Sequence, residues 1–213
     1  MVDHWESLSS QYEREDWSTK PSIFATEIHE YIPTGARILE LGCGQGQDGL
    51  WFADEQNRFH VLATDISSSA LENAQKRKAE LEVDAIEFER LDLAELFRYP
   101  DEIFDMVYSH LGLHYFDKTV TERLFAEIYR VLKPRGVLAF LANSVNDPEY
   151  GTGIKIEDDY FETAGTKKRY FSASTALDFT KNFDVILCDE DGETYKDRKI
   201  GVHNLVRFVG RKK

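Results

Sequence analysis

Short apolar runs alternate with amphipathic stretches over most of the chain. Apolar runs bounded by polar turns are typical of buried strands, whereas apolar residues spaced three and four apart predict helices. This alternation predicts five strands, at 36–41, 59–64, 85–89, 103–109 and 136–142. It predicts intervening helices at about 46–55, 68–81 and 119–132. Strands that alternate with helices in this order indicate a parallel sheet covered by helices on both faces.

The two ends of the chain depart from this pattern. Before the first strand, 5–15 and 21–31 have helical periodicity, and Pro21 stands in the first turn of the second helix. The segment 144–170 mixes proline and glycine with charged and aromatic residues, and it is too long for a simple connection. A helix at 173–181 and strands at 183–190 and 201–209 follow, and we expect the two strands to pair as a hairpin.

The first predicted strand ends on a carboxylate, Glu40, and leads directly into the glycine-rich turn 42–46. Glycines at such a turn let a ligand touch the backbone. Gly44, Gly46 and Gly49 also satisfy the dinucleotide pattern G-x-G-x-x-G, so NAD and FAD have to be considered. A carboxylate at the strand tip would repel their pyrophosphate but attract a cationic ligand. Glu40 therefore favours S-adenosylmethionine, whose methionine portion carries an ammonium group.

Several ordered motifs resemble those of the class I S-adenosylmethionine-dependent methyltransferases. They are E-L-G-C-G-x-G at 40–46, the acid Asp65 at the end of the second strand, Leu91-Asp92-Leu93, the strand 104–110, and the helix, turn and strand at 128–138. The resemblance covers roughly residues 36–143. It implies S-adenosylmethionine as cofactor and S-adenosylhomocysteine as product.

The resemblance also implies a fold and its division. We expect an α/β fold, with a Rossmann-like, seven-stranded, mostly parallel sheet, helices on both faces and an antiparallel C-terminal strand. The chain is expected to form a single methyltransferase domain over 1–213, a length that suits one core. Its parts would be an N-terminal helical lid (1–33), a cofactor-binding core (36–143), a substrate-facing insertion (144–170) and a C-terminal helix and hairpin (171–213).

Cofactor-contacting residues are expected outside the carboxyl ends of the strands, at the topological switch point. The backbone of the glycine turn should line the methionine portion, Glu40 should act on that portion through charge or water, and Asp65 should hold the ribose. The full predicted set is Tyr12, Glu40, Gly42, Cys43, Gly44, Gly46, Asp65, Ile66, Asp92, Leu93 and Ser109. Ile66 is expected on the adenine face, and Asp92 with Leu93 around the adenine. An alternative role for Asp92 is the N-cap of a helix at 93–97.

Methyl transfer is an in-line displacement, so the protein mainly positions the reactants and excludes water. A thiolate, a free amine or a chalcogen anion can attack unaided, whereas a hydroxyl or an acidic carbon needs a proton acceptor. His110 and His114, after the fourth strand, are the candidates to polarise or deprotonate the substrate, and Tyr115 is expected to shape the pocket. Alternatively, these histidines close the adenine end of the cleft or cap the next helix.

Two regions outside the core are candidates to close over the substrate. In the N-terminal segment, Tyr12 is expected at the cofactor and Trp17 at the substrate. The alternative is an apolar stripe that packs on the sheet, which we favour for Trp5. In the insertion, Arg169 and Tyr170 are expected to bind substrate, and Arg169 would suit an anion. This segment could equally be a hairpin held by its own ion pairs.

Composition narrows the possible partners. The net charge of −13 would repel a polyanion, and the dense basic cluster at 167–169 is short, so no nucleic acid is expected. Cys43 and Cys188 cannot make a disulfide framework, and no ligand spacing indicates a metal. No apolar run is long enough to cross a bilayer and 1–6 lacks the features of a signal peptide, so we expect a cytoplasmic protein with no membrane partner. Nothing in the sequence indicates its oligomeric state.

These observations predict an S-adenosylmethionine-dependent methyltransferase acting on a small-molecule acceptor. A methyltransferase acting on protein or RNA is the first alternative. A nicotinamide-dependent oxidoreductase is the second, supported only by the pattern of Gly44, Gly46 and Gly49.

Overall fold

The computed structural model describes residues 5–6, 20–54, 56–57, 59–194 and 202–213. Its helices are α1 (Ile23–Ile28, continued by a 3-10 turn at His29–Tyr31), α2 (Gln47–Ala53), α3 (Ser68–Glu80), α4 (Lys118–Val131) and α5 (Ala173–Phe179). Its strands are β1 (Arg37–Leu41), β2 (His60–Asp65), β3 (Ile86–Arg90), β4 (Phe104–His110), β5 (Leu132–Ala142), β6 (Ile154–Glu157), β7 (Tyr160–Thr163), β8 (Thr166–Arg169), β9 (Phe183–Thr194) and β10 (Val202–Lys212).

Seven of these strands form one sheet in the order β3-β2-β1-β4-β5-β10-β9. The pairs among β1 to β5 are parallel, whereas β10 runs antiparallel to both β5 and β9. The predicted α/β, Rossmann-like, mostly parallel sheet with an antiparallel C-terminal strand is confirmed. The order of the strands reverses between β1 and β4, which makes their carboxyl ends the switch point of the sheet.

Alternating side chains of the central strands feed two apolar layers, one on each face of the sheet. On the first face, Ile38, Tyr108 and Leu141 belong to the same core as residues of α1 and α2; we call this the α2 face. On the other face, Leu39 and Phe140 pack with residues of α4 and α5. The central strands are therefore buried on both sides, as their continuous apolar runs predict.

Side-chain caps fix where most of these helices begin. Ser22, Ser67, Asp117 and Ser172 each accept a hydrogen bond from a backbone N–H in the first turn of α1, α3, α4 and α5, respectively. α2 begins instead at Gly46, whose φ of +76° is left-handed and which makes no side-chain cap. The glycine turn therefore runs directly into α2.

The segment after β5 is more ordered than a simple loop. β6, β7 and β8 form a separate three-stranded antiparallel sheet. Lys155 pairs with Asp158 at 2.7 Å and Lys168 with Glu149 at 2.6 Å, both on the surface. Such exposed pairs contribute little stability.

β5 also departs from its predicted start. The strand follows α4 directly at Leu132, and its register with β4 shifts between the Phe104 and Met106 pairs. Arg135 has a φ of +66° within this irregular stretch. The turn expected before 136 is therefore a bulge in the strand.

Candidate functional site

Backbone hydrogen bonds hold both ends of the glycine turn. The amides of Gly42 and Cys43 both donate to Thr64 O at the end of β2, at 2.8 and 2.9 Å, and Gly46 N donates to Cys43 O at 2.9 Å. Gly42, Gly44 and Gly46 have φ values of +75°, +53° and +76°. This left-handed region suits glycine, so the turn depends on these three positions.

Three glycines of the turn and α2 face different surroundings. A Cβ on Gly44 would meet nothing within 4 Å, so this residue borders open space. A Cβ on Gly46 would lie 2.8 Å from the Phe88 ring of β3. A Cβ on Gly49 would overlap the Glu40 carboxylate. Gly46 and Gly49 therefore permit close packing, whereas Gly44 leaves room for a ligand.

Glu40 lies buried beneath α2 with one carboxylate oxygen unsatisfied. The residue is 3% exposed, and among the described residues Oε2 has no hydrogen-bond partner. Burial raises the pKa of Glu40 well above its usual value, and the charges of Asp48 and Asp65 raise it further. A buried carboxyl in such surroundings is stabilised as an anion by a cation bound beside it.

Asp48, in the first turn of α2, is a second buried carboxylate, and its hydrogen bonds are extensive. It accepts from Ser22 N at 2.6 Å, from Ser22 Oγ at 2.8 Å and from Tyr108 Oη at 2.7 Å. This network ties the start of α1 and the middle of β4 to the first turn of α2. No local sequence signal marks this hydrogen-bond network, because an acid in the first turn of a helix ordinarily faces solvent.

Asp65 joins the glycine turn to the exit from β2. Its carboxylate accepts from Gly44 N at 2.8 Å and from Ser67 N at 2.9 Å. Burial raises its pKa, and these amide hydrogen bonds partly oppose the rise. A carboxylate has about four acceptor sites, so two remain for a ligand. Ile66 follows directly, with its carbonyl fixed by Arg90 Nε at 3.2 Å.

The two residues predicted around adenine lie after β3. Asp92 Oδ1 accepts from Ala94 N at 2.8 Å, within a turn rather than at the start of the helix that we considered as an alternative. Leu93 is 9% exposed and packs in the core on the α4 side of the sheet. Their contact with adenine stays a prediction.

The end of β4 places its polar groups close to two other elements. Ser109 Oγ donates to Leu41 O at 2.7 Å, which links β4 to the residue before the glycine turn. His110 Nε2 lies 3.0 Å from Thr194 Oγ1, at the end of β9. A Cβ on Gly112 would lie 2.7 Å from Leu41 O, so the loop after β4 approaches the end of β1 closely.

His114 and Tyr115 continue this loop. His114 is 1% exposed, and its ring lies 4.3 Å from that of Tyr115. Tyr115 in turn contacts Trp5 of the N-terminal segment edge to face, with centroids 4.5 Å apart. The three predicted residues His110, His114 and Tyr115 thus lie at the carboxyl end of β4 and in the loop after it, beside the switch point. Their part in catalysis stays a prediction.

Two described residues of the N-terminal segment reach opposite sides of this edge. While Trp5 contacts the loop after β4, the Glu6 carboxylate accepts from Ser67 Oγ, Ser68 N and Ser69 N at 3.0, 2.8 and 3.0 Å, at the start of α3. These hydrogen bonds lower the pKa of Glu6 to about 2. Tyr12 and Trp17, predicted to contact cofactor and substrate, lie outside the described residues.

The predicted substrate residues of the insertion are both buried. The Arg169 guanidinium pairs with Glu157, and Nε donates to Phe116 O at 3.1 Å. Tyr170 is 1% exposed, contacts Tyr150 edge to face, and has its pKa raised to about 12 by burial. These contacts attach the insertion to the loop after β4. A role of either residue in substrate binding stays a prediction.

Neither a metal centre nor a membrane span is evident in the part of the chain that the structure describes. No three His, Cys, Asp or Glu side chains group as metal ligands there. No helix there has the length and apolar character needed to cross a bilayer.

Together, these features define a class of protein. A mostly parallel sheet carries a glycine turn open at Gly44, an acid at the end of β2, and a buried, unsatisfied carboxylate beneath the turn. This arrangement fits an α/β protein that binds a nucleoside cofactor bearing a positive charge.

Comparison with known proteins gives the family. Residues 38–136 match the family described as Methyltransferase domain. The chain is 31% identical over 137 residues to phosphoethanolamine N-methyltransferase 2 of Caenorhabditis elegans, covering 64% of this chain and 29% of that protein. It is 35% identical over 113 residues to the S-adenosyl-L-methionine-dependent Diels-Alderase iccD of Talaromyces variabilis, covering 52% of this chain and 37% of that protein. The chain therefore spans well under half the length of either relative.

A solved structure supports the fold. A methyltransferase from Methanosarcina mazei superposes with a TM-score of 0.72 at 21% identity, covering 87% of this chain and 96% of that one. The region 38–136 is therefore similar in sequence to the S-adenosylmethionine-dependent methyltransferases, a family that uses S-adenosylmethionine as its cofactor and produces S-adenosylhomocysteine.

Proposed function

We propose that this protein transfers a methyl group from S-adenosylmethionine to a small-molecule acceptor. The observation that carries the proposal is Glu40, a buried carboxyl with an unsatisfied oxygen beneath the open glycine turn. A pyrophosphate cofactor would gain nothing from it, whereas a cationic cofactor would be attracted.

The residues present fit this cofactor. The backbone at Gly42, Cys43, Gly44 and Gly46 would line its methionine portion, because Gly44 borders open space. Asp65 would hold the ribose with the acceptor sites that its amide contacts leave over. Ile66, Asp92 and Leu93 would surround the adenine, and Ser109 would support the turn through Leu41. When bound, the cofactor supplies a methyl group activated by a sulfonium.

The acceptor would lie on the outer side of the switch point, near the ends of β4 and β5. His110 and His114 are the candidates there to take a proton from a hydroxyl acceptor, and Tyr115 would form a wall of the pocket. The Trp5 contact with Tyr115 and the Glu6 contacts with α3 span the two sides of this edge. They support the proposal that the N-terminal segment closes the cleft and excludes water.

A small acceptor is supported by the phosphoethanolamine methyltransferase named above and by the net charge of −13, which disfavours nucleic acid. A protein side chain remains the alternative acceptor. The Diels-Alderase among the relatives shows that cofactor dependence and methyl transfer need separate tests.

Calorimetric titration of the full chain with S-adenosylmethionine, S-adenosylhomocysteine and NADH tests the proposal. Binding of both adenosyl ligands, weakened in Asp65→Asn at a temperature where the variant is still folded, would support it. NADH binding alone would overturn it. Formation of S-adenosylhomocysteine in the presence of small acceptors, but not of unfolded protein substrates, would then establish the acceptor class.

A further inference from the structure

Asn143 follows β5 at the outer side of the candidate site. The residue is 2% exposed, and its backbone is fixed because Asn143 O accepts from Phe171 N at 2.8 Å. Val145 N donates in turn to Phe171 O at 2.9 Å. Its position is therefore set by the chain that returns from the insertion.

The strand pattern places Asn143 on the α2 face. Leu141 belongs to the core of that face, and side chains two apart along a strand point the same way. In the parallel register, Leu141 pairs with His110 of β4, two residues after Tyr108 of the same core. Asn143, His110 and Glu40 thus share one face at one edge of the sheet.

The Asn143 amide differs from the polar groups around it. No hydrogen bond of the described residues uses its side chain, although the residue as a whole is 2% exposed. By contrast, the neighbouring Ser144 Oγ accepts from Asn146 N at 3.0 Å, and the Asn146 amide donates to Glu190. The Asn143 amide is nevertheless not among the fully buried side-chain atoms that lack a partner in the described residues, so it borders space that a ligand can enter.

The sheet order says on which side of the cofactor this amide lies. The glycine turn and Asp65 place the proposed cofactor at the carboxyl ends of β1 and β2. The methyl acceptor would then lie on the other side of the switch point, at the adjacent carboxyl ends of β4 and β5. We infer that Asn143 binds the acceptor and orients an oxygen nucleophile, a hydroxyl or a carboxyl group, toward the methyl group. This inference rests on the proposed function.

The chemistry of the amide favours oxygen over nitrogen. The Asn143 NH₂ group can donate to one lone pair of an oxygen, which keeps another lone pair for attack. A neutral amine has a single lone pair, which the attack requires, so it could only donate an N–H to Asn143 Oδ1 and would leave the NH₂ group unsatisfied. In the transfer, the oxygen forms the new bond to carbon, the carbon–sulfur bond breaks and sulfur keeps the electron pair. A hydroxyl acceptor gives its proton to His110, and a carboxylate has none to give.

A crystal structure with S-adenosylhomocysteine tests the position of the amide. The bond to the methyl group, the near-attack gap and one hydrogen bond together reach roughly 8 Å, so the Asn143 amide should lie within about that distance of the sulfur. A longer distance overturns the inference. If the ligand does not bind, the proposed function itself fails, which is a different result.

Turnover with phenol, benzoate, benzylamine and thiophenol tests the acceptor class with probes of similar size. We expect methylation of phenol or benzoate, with kcat/KM at least about tenfold lower in Asn143→Ala, as the loss of one hydrogen bond predicts. Binding of S-adenosylhomocysteine and the melting temperature should not change. Asn146→Ala, the same substitution three residues away, should behave as wild type. Preference for the amine or thiol, or an unchanged kcat/KM in Asn143→Ala, overturns the inference.

Discussion

Glu40→Gln should weaken S-adenosylmethionine binding and remove its pH dependence. In the ligand-free protein, burial and the charges of Asp48 and Asp65 hold the Glu40 pKa well above its usual value. A cation bound nearby favours the ionised form, so binding should release a proton from Glu40. Glutamine has nearly the same shape but cannot ionise.

The expected size follows from Coulomb's law. A unit charge about 6 Å from a carboxylate interacts with it by about 3 kcal/mol at an effective dielectric constant of about 20. That energy corresponds to a shift of about two pKa units, or about a hundredfold in affinity. Wild-type affinity should therefore rise with pH by up to about a hundredfold across the interval between the bound and free pKa values of Glu40. Below that interval, wild type and Glu40→Gln should bind equally.

Titration calorimetry in phosphate and in Tris measures the effect, because the two buffers differ in ionisation enthalpy and reveal protons released on binding. S-adenosylhomocysteine keeps the ammonium group of the methionine portion, so its binding should release a proton from Glu40 as well. Asp65→Asn is the control, since Asp65 also has a raised pKa and contributes its own share. Identical proton release by wild type and Glu40→Gln would refute the reasoning.

The same pKa shift has a consequence for the ligand-free protein. A carboxyl group whose pKa is raised by folding contributes stability below its unfolded pKa and loses that contribution as pH rises through the folded value. Glu40→Gln should therefore match wild type in acid and exceed its melting temperature at higher pH. A variant that binds the cofactor more weakly while folding more stably would identify Glu40 as a residue kept for binding.

Three further predictions concern the surroundings of this carboxyl. Asp48→Asn should destabilise the fold by about 2–4 kcal/mol, because an amide nitrogen would face buried donors, whereas Tyr108→Phe should cost about 1–2 kcal/mol; equal effects in urea unfolding would contradict the network. Gly49→Ala should destabilise the fold, although a glycine-to-alanine change in a helix usually stabilises it by about 1 kcal/mol. The destabilisation should be smaller in a Glu40→Ala background, and additive effects in the double-mutant cycle would contradict the overlap between the new Cβ and the Glu40 carboxylate. Trp5→Ala should speed dissociation of S-adenosylhomocysteine in stopped flow without lowering the ligand-free melting temperature, and an unchanged rate would remove Trp5 from the lid.

The sequence was sufficient to predict the sheet because its signal is local. The central strands are largely apolar runs and β3 alternates apolar and charged residues, and each is followed by a turn or a helix cap, so strands, helices and their alternation follow from short windows. Boundaries were less accurate where tertiary pairing decides them. β9 extends to Thr194 because it pairs with β10 to that point, and β5 begins at Leu132 because a bulge keeps it beside β4.

The candidate site could be predicted only in part, for the same reason. Glu40, Asp65 and the glycines stand in a contiguous pattern or at strand ends, where position alone indicates a role. The partners of Asp48 are 26 and 60 residues away along the chain, and nothing local marks them. Asn143 shows the same limit, since its burial depends on the return of the chain after the insertion.

Glu40 and Asp48 illustrate how structure separates a binding carboxylate from a structural one. Both are almost fully buried, and they are eight positions apart along the chain. Asp48 receives three hydrogen bonds within the protein, so its charge is stabilised before any ligand arrives. Glu40 keeps an oxygen without a partner among the described residues, and it lies against a glycine that leaves it room. An unsatisfied buried carboxyl destabilises the fold, and the cationic cofactor that we propose over the glycine turn would compensate for that cost.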